Sequence, residues 1–161
     1  MTIRIGARAL ELGLVAVTAF WMLALVGATA LAGLAHPGLG AYLFSSMVFF
    51  TGSLLCHQRP ERSFHWWGAQ VPVCARCFGI YLGAALSAVA IAVTGVSLPR
   101  PRHAKIFVLA ALTPNALTLV YEWTTGSMPG HWVRAGSGVL LGAVVTLVIA
   151  EAGRWMSTET T

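Results

Sequence analysis

Long uncharged apolar runs constrain this chain more than anything else in it. Leu12 to Ala35 carries no charge, and neither does Cys77 to Leu98. A helix needs about 20 apolar residues to cross a hydrocarbon core of roughly 30 Å. Within that core each backbone N–H and C=O must be paired inside the protein, which leaves helices or closed barrels. Of the 161 residues, 57% are hydrophobic and only 9% charged, whereas an ordinary soluble domain has roughly a quarter charged. So few charges cannot cover a soluble surface. The chain therefore reads as all-α, a polytopic membrane helical bundle of about five transmembrane helices in a single membrane domain, 1–161.

Helix breakers divide the runs. Arg4 and Arg8 precede the first, a pattern shared with a signal peptide, but the apolar part is too long for one. The first span is expected at about 10–35. His36-Pro37-Gly38 breaks it, because Pro lacks a backbone donor and Gly relieves the turn. A second span is expected at 39–55, then a polar loop at 56–72. The third is expected at 73–98, with Pro72 at the first helical positions. After the basic, proline-broken loop from Pro99 to Lys105 come two shorter spans, 105–122 and 132–152. Pro114-Asn115 is a possible interruption of the fourth. The tail Ser157 to Thr161 is expected to be disordered. Gly79 and Gly83, and Gly138 and Gly142, form Gly-x-x-x-Gly pairs that permit close helix approach, so the third and fifth helices are expected to be central.

The net charge of +5 comes from ten Lys and Arg spread over every polar segment. Nucleic-acid binding is not expected from such a scatter; basic residues at helix ends anchor in anionic headgroups instead. With five spans and a cytoplasmic N-terminus, six basic residues lie inside and four outside, but that margin rests on Arg59, Arg62 and Arg76. Without them the balance reverses.

Three cysteines are too few for a secreted disulfide framework. All three, Cys56, Cys74 and Cys77, flank the one polar segment, together with His57 and His65. A cysteine in a membrane helix is ordinarily a small apolar residue; this clustering argues for a site. Cys74-Ala75-Arg76-Cys77 is a Cys-x-x-Cys at a helix start, where residues three apart share a face and the helix dipole and Arg76 favour thiolate. With Cys56 and His57, or His65 as the alternative ligand, it supplies a Cys3His set suited to a zinc-like ion. Arg59, Glu61 and Arg62 read as part of a hydrogen-bonded loop bracing that site, with a phosphate or lipid-headgroup contact as the alternative. Trp66 and Trp67 read as an interfacial belt, or as a stacking platform for a quinone. Glu122 at the end of the fourth span is expected to reach the surface, with a proton-relay role if it faces inward.

The strings Cys56-His57-Gln58-Arg59-Pro60-Glu61-Arg62-Ser63 and Cys74-Ala75-Arg76-Cys77-Phe78-Gly79-Ile80-Tyr81-Leu82-Gly83 resemble a family of small bacterial and archaeal integral membrane proteins, a domain of unknown function. Its pattern is Cys-His-Gln, then Cys-x-Arg-Cys-x-Gly-x-Tyr. The resemblance implies that Gln58, Pro60, Arg62, Ser63, Arg76, Gly79 and Tyr81 are family positions beside the cysteines. Phe78 stands where the family commonly has a small polar residue, and the later helices agree more loosely through Asn115, Glu122, Arg134, Gly136 and Gly138. The resemblance supplies no activity.

Three functions remain in view. In the first, Cys56, His57, Cys74 and Cys77 bind a zinc-like ion at the membrane interface, with Gln58 and Arg76 orienting the ligands. In the second, Cys74 and Cys77 are the redox pair of a quinone-linked thiol-disulfide oxidoreductase, with Cys56 resolving; such relays usually use a second cysteine pair. In the third, a small transporter or lipid-handling protein uses Arg59 and Arg62 on phosphates and Glu122 for coupling. All three place the chain in the lipid bilayer, as a multi-pass protein of a bacterial or archaeal cell membrane.

Overall fold

The computed structural model describes residues 2–97 and 104–159, with side chains from 8 to 97 and from 104 to 155. Pro99 to His103 of the expected basic loop, and the last two residues of the tail, lie outside the described residues. Among the described residues there are five helices: α1 (Thr2–Ala32), α2 (Leu39–Leu55), α3 (Ala75–Thr94), α4 (Ala104–Thr125) and α5 (His131–Glu159). α3 stops before the expected position because Gly95 adopts a left-handed φ of 67° and caps it. α4 runs through Pro114 without a break. α5 continues past Ser157 to Glu159, where a disordered tail was expected.

The surface is the inverse of a soluble protein's. Val17, Phe20 and Leu23 of α1 are 69–72% exposed, and Val93, Leu109 and Leu117 are likewise turned outward. Such faces are compatible with hydrocarbon and not with water. The chain is a polytopic helical membrane protein, with α1, α3, α4 and α5 long and apolar enough to cross the bilayer.

α3 and α5 form the centre. A Cβ at Gly79 would strike the carbonyl of Ala135, and one at Gly83 that of Val139; a Cβ at Gly138 or Gly142 would strike the carbonyls of Arg76 and Ile80. The two backbones thus meet through all four glycines. Ser87 Oγ donates to the Ala143 carbonyl at 3.0 Å along the same contact. α1 packs on α3, with Trp21 edge-on to Tyr81 at 6.0 Å, and α4 lies against α5.

The helix ends fix the direction of each element. Arg8 donates to the Ala92 carbonyl, and Arg154 joins Glu11 at 2.7 Å, so the start of α1 and the ends of α3 and α5 share one face of the bundle. The end of α1, the start of α3 and the start of α5 share the other. α2 starts beside the end of α1, where Ser45 Oγ donates to the Ala28 carbonyl. Its last turn lies beside Val17, Trp21, Tyr81 and Ala84, midway along α1 and α3. From there the chain climbs back, and the backbone of Trp67 packs on Gly33 just past α1. α2 therefore runs into the bundle from the end where α1 finishes, and the chain after it turns back toward that end.

The returning segment, expected as a loop, is a short 3-10 turn (Pro60–Arg62) and an antiparallel hairpin of β1 (Ser63–Trp66) and β2 (Ala69–Cys74). Trp67 and Gly68 both have positive φ, 52° and 79°, as a two-residue type I′ turn demands. Pro72 lies in β2 and not in α3. The ladder is irregular there, between the pairs His65–Gln70 and Ser63–Cys74, and a bulge tolerates a residue that cannot donate. Val71 and Val73 are fully buried against α1, beside Leu25 and Ala28. Phe64 anchors the hairpin to the starts of α3 and α5, stacking on Trp66 and meeting Phe78, His131 and Trp132.

Candidate metal centre

The thiols are brought together by three elements. Cys56 ends α2 in extended conformation, φ −150°. Cys74 ends β2 and is the N-cap residue of α3, and Cys77 follows in its first turn. The ligand atoms of all three lie within 4.8 Å of one another, and none is in a disulfide. Tetrahedral zinc with Zn–S bonds of about 2.3 Å needs its sulfurs ~3.8 Å apart, so small side-chain adjustments accommodate an ion. The backbone N–H of Cys74 already donates to Cys56 Sγ at 3.3 Å. Hydrogen bonds from the Cys74 and Cys77 side chains, and then that N–H, hold the Cys56 thiol well below its ordinary pKa against the opposing effect of burial.

The imidazole of His57 lines the adjoining cavity of about 360 Å³ but falls outside the three-sulfur group. His65 is exposed on β1. Neither histidine is placed with the thiols, so a fourth ligand would come from movement of His57 or from the cavity.

Gln58 clips the segment in place. Its Nε2 donates to the carbonyls of Phe49 on α2 and Pro72 on β2, at 2.7 and 2.6 Å. The residue holds a left-handed φ of 47°, unusual for a non-glycine. Gln70 Nε2 donates to the Gln58 carbonyl at 2.7 Å, and Ser63 Oγ donates to that of Arg59 at 3.0 Å. Pro60 opens the 3-10 turn. Arg59 and Glu61 form only a loose exposed pair at 4.0 Å. Gly52 was not singled out from the sequence, yet a Cβ there would collide with the Pro72 carbonyl and approach Gln58 Nε2 to 2.7 Å.

Glu122 does not reach the surface. It is buried, and Arg62, Arg76 and Arg134 each place an Nη2 at 3.8 Å from its carboxylate. Arg76 also donates to Thr118 Oγ1 at 3.0 Å, and Thr118 in turn to the Asn115 carbonyl. Asn115 and Ser137 exchange two bonds, at 2.8 and 3.1 Å, and Ser137 donates to the Arg134 carbonyl. Thr118 and Ser137 were missed. The signal for the first was present: Asn115, Thr118 and Glu122 recur at helical spacing, a polar stripe on an otherwise apolar helix. Trp66 is engaged with Phe64 and Phe78, while Trp67 is exposed at the hairpin tip.

A polytopic helical membrane protein, with four helices long and apolar enough to cross the bilayer, a shorter α2 and a cluster of three thiols, is the class these features define. Residues 56–148 match the family described as predicted membrane protein (DUF2085), and the chain belongs to that family. It is 54% identical over 39 residues to an uncharacterized protein of Methanocaldococcus jannaschii, covering 24% of this chain and 25% of the relative. An uncharacterized protein of Methanothermobacter thermautotrophicus is 53% identical over 38 residues, covering 24% of this chain and 34% of the relative. The match thus spans only about a quarter to a third of these relatives. Both are archaeal, so they support the archaeal half of the expected source and not the bacterial half. No solved structure matches the chain.

Proposed function

We propose that this protein is a membrane metal-thiolate protein in which Cys56, Cys74 and Cys77 hold a zinc-like ion, with the fourth position open to His57 or to a ligand from the cavity. The convergence of three free cysteines from three elements to within 4.8 Å carries this reading. Soft thiolates select zinc over hard cations, and the Cys74 N–H bond to Cys56 Sγ favours the deprotonated form that binds metal. An open fourth position is the arrangement of catalytic rather than closed structural sites.

Charge favours the side of the membrane away from the cytoplasm. With α2 returning to its own face, Arg8, Lys105 and Arg154 adjoin one end of the bundle, and in the sequence Arg4 precedes Arg8, and Arg100 and Arg102 precede Lys105. The other end has Arg59, Arg62, Arg76 and Arg134. The first end is then the cytoplasmic one by the positive-inside rule, and removing the site arginines strengthens the bias.

The test is to purify the protein in detergent without chelator, measure metal per chain and titrate thiols before and after reduction. About one equivalent of metal, released together with three reactive thiols, is expected. A metal-free chain with a reducible Cys74–Cys77 bond would establish the thiol-disulfide reading in its place.

A further inference from the structure

The cavity beside the thiols is more cationic than a metal-thiolate centre requires. Three guanidinium groups face one carboxylate, Glu122, leaving two positive charges in excess. A dication held by three thiolates carries one negative charge, so at least one positive charge remains. The 3.8 Å separations are ion pairs and not hydrogen bonds. The Nε atoms of Arg62, Arg76 and Arg134 are buried, and no described residue accepts a hydrogen bond from any of them. Arg134 is 2% exposed and lines the cavity together with Arg62 and Arg76.

These arginines come from separate elements, the 3-10 turn, α3 and α5, and the polar network through Thr118, Asn115 and Ser137 ties α3, α4 and α5 together behind them. Planar guanidinium donors converging from several directions match the oxygens of a phosphate group. Other buried charge in the bundle is arranged differently. At the opposite end Arg154 makes direct bonds to Glu11 at 2.7 and 3.1 Å, and Glu11 also pairs with Arg8. That cluster is a closed structural tie.

A second cavity, of about 260 Å³, lies between α1, α2 and α3 and is lined by Val17, Trp21, Thr51, Tyr81 and Ala84. Leu55 is a wall of both cavities. The cationic cavity and the apolar groove therefore adjoin, an arginine-lined chamber with room for a phosphate next to a slot for hydrocarbon. We infer that the protein binds an anionic phospholipid, its phosphate among Arg62, Arg76 and Arg134 and an acyl chain in the groove past Leu55. The inference goes beyond the metal reading and does not depend on it.

Lipid binding to the detergent-purified protein, followed by native mass spectrometry, tests this with phosphatidylglycerol, phosphatidylcholine and inorganic phosphate as probes. Phosphatidylglycerol should bind at least tenfold tighter than phosphatidylcholine, and inorganic phosphate should compete only weakly, since it lacks the chain. Arg62→Gln, at the most accessible of the three arginines, should weaken phosphatidylglycerol about tenfold. Glu122→Gln removes the competing carboxylate and should tighten it, an opposite sign that a merely structural role for the cluster does not produce. Metal content measured on the same samples should stay constant, which separates this result from the fate of the metal reading. Equal binding of the two lipids, or a preference unchanged in both variants, would overturn the inference. Inorganic phosphate binding as tightly as the lipid would overturn the lipid assignment.

Discussion

Replacing Gln58 by Ala removes the clip that holds Cys56 against β2 while leaving every cysteine in place. The side chain donates to the Phe49 and Pro72 carbonyls at 2.7 and 2.6 Å, and each such bond contributes about 1 kcal/mol net. Losing both frees the segment between α2 and β1, so metal binding must then reorder it. A cost of about 2 kcal/mol corresponds to roughly 30-fold in dissociation constant, within the range of about 10–100-fold seen when groups supporting metal ligands are removed. The assay is competition for zinc against a chromophoric chelator, with circular dichroism to show that the helices persist; the α3–α5 contact is untouched by the change. A folded Gln58→Ala protein whose zinc affinity falls less than threefold would refute the argument that this clip preorganises the thiols.

Gly83→Val should abolish the folded, monodisperse protein in detergent, because the side chain would enter the Val139 backbone, whereas Gly136→Ala, with nothing within 4 Å of its Cβ, should behave as wild type. Reporter fusions should place both termini in the cytoplasm, and a cysteine introduced at Trp67 in a cysteine-free background should label from the opposite side; labelling from the cytoplasm would contradict the re-entrant path of α2. In the reduced, metal-stripped protein, the lowered pKa of Cys56 means that its thiolate persists as pH falls. Its alkylation rate should therefore change little between pH 8 and pH 6, where a thiol of pKa about 8.5 slows roughly 75-fold. A comparable slowing at Cys56 would show that the neighbouring thiols do not stabilise its charge.

The helices were legible because each apolar run is a local signal. The path of α2 was not, since its length and composition alone do not reveal that Leu55 ends beside Tyr81 and Ala84 in the middle of the bundle. The hairpin escaped detection for a related reason. Its strands are only four and six residues long, and Pro72 suggested a helix start where a bulge absorbs it. Around the thiols, the grouping of the cysteines about one polar segment could be read from the chain, whereas the separation of His57 and His65 from the sulfurs depends on loop geometry. Glu122 illustrates the remaining limit. A lone carboxylate near a helix end ordinarily reaches water; it is buried here because Arg62, Arg76 and Arg134, distant in sequence, converge on it.

The claim that the three cysteines form a metal centre is tested most directly by X-ray absorption at the zinc edge of the zinc-loaded protein. Three sulfur scatterers at about 2.3 Å with one lighter neighbour at about 2.0–2.2 Å are predicted, falling to two sulfurs in Cys56→Ser. Zinc surrounded only by nitrogen and oxygen, or a sulfur count unchanged by Cys56→Ser, would contradict it.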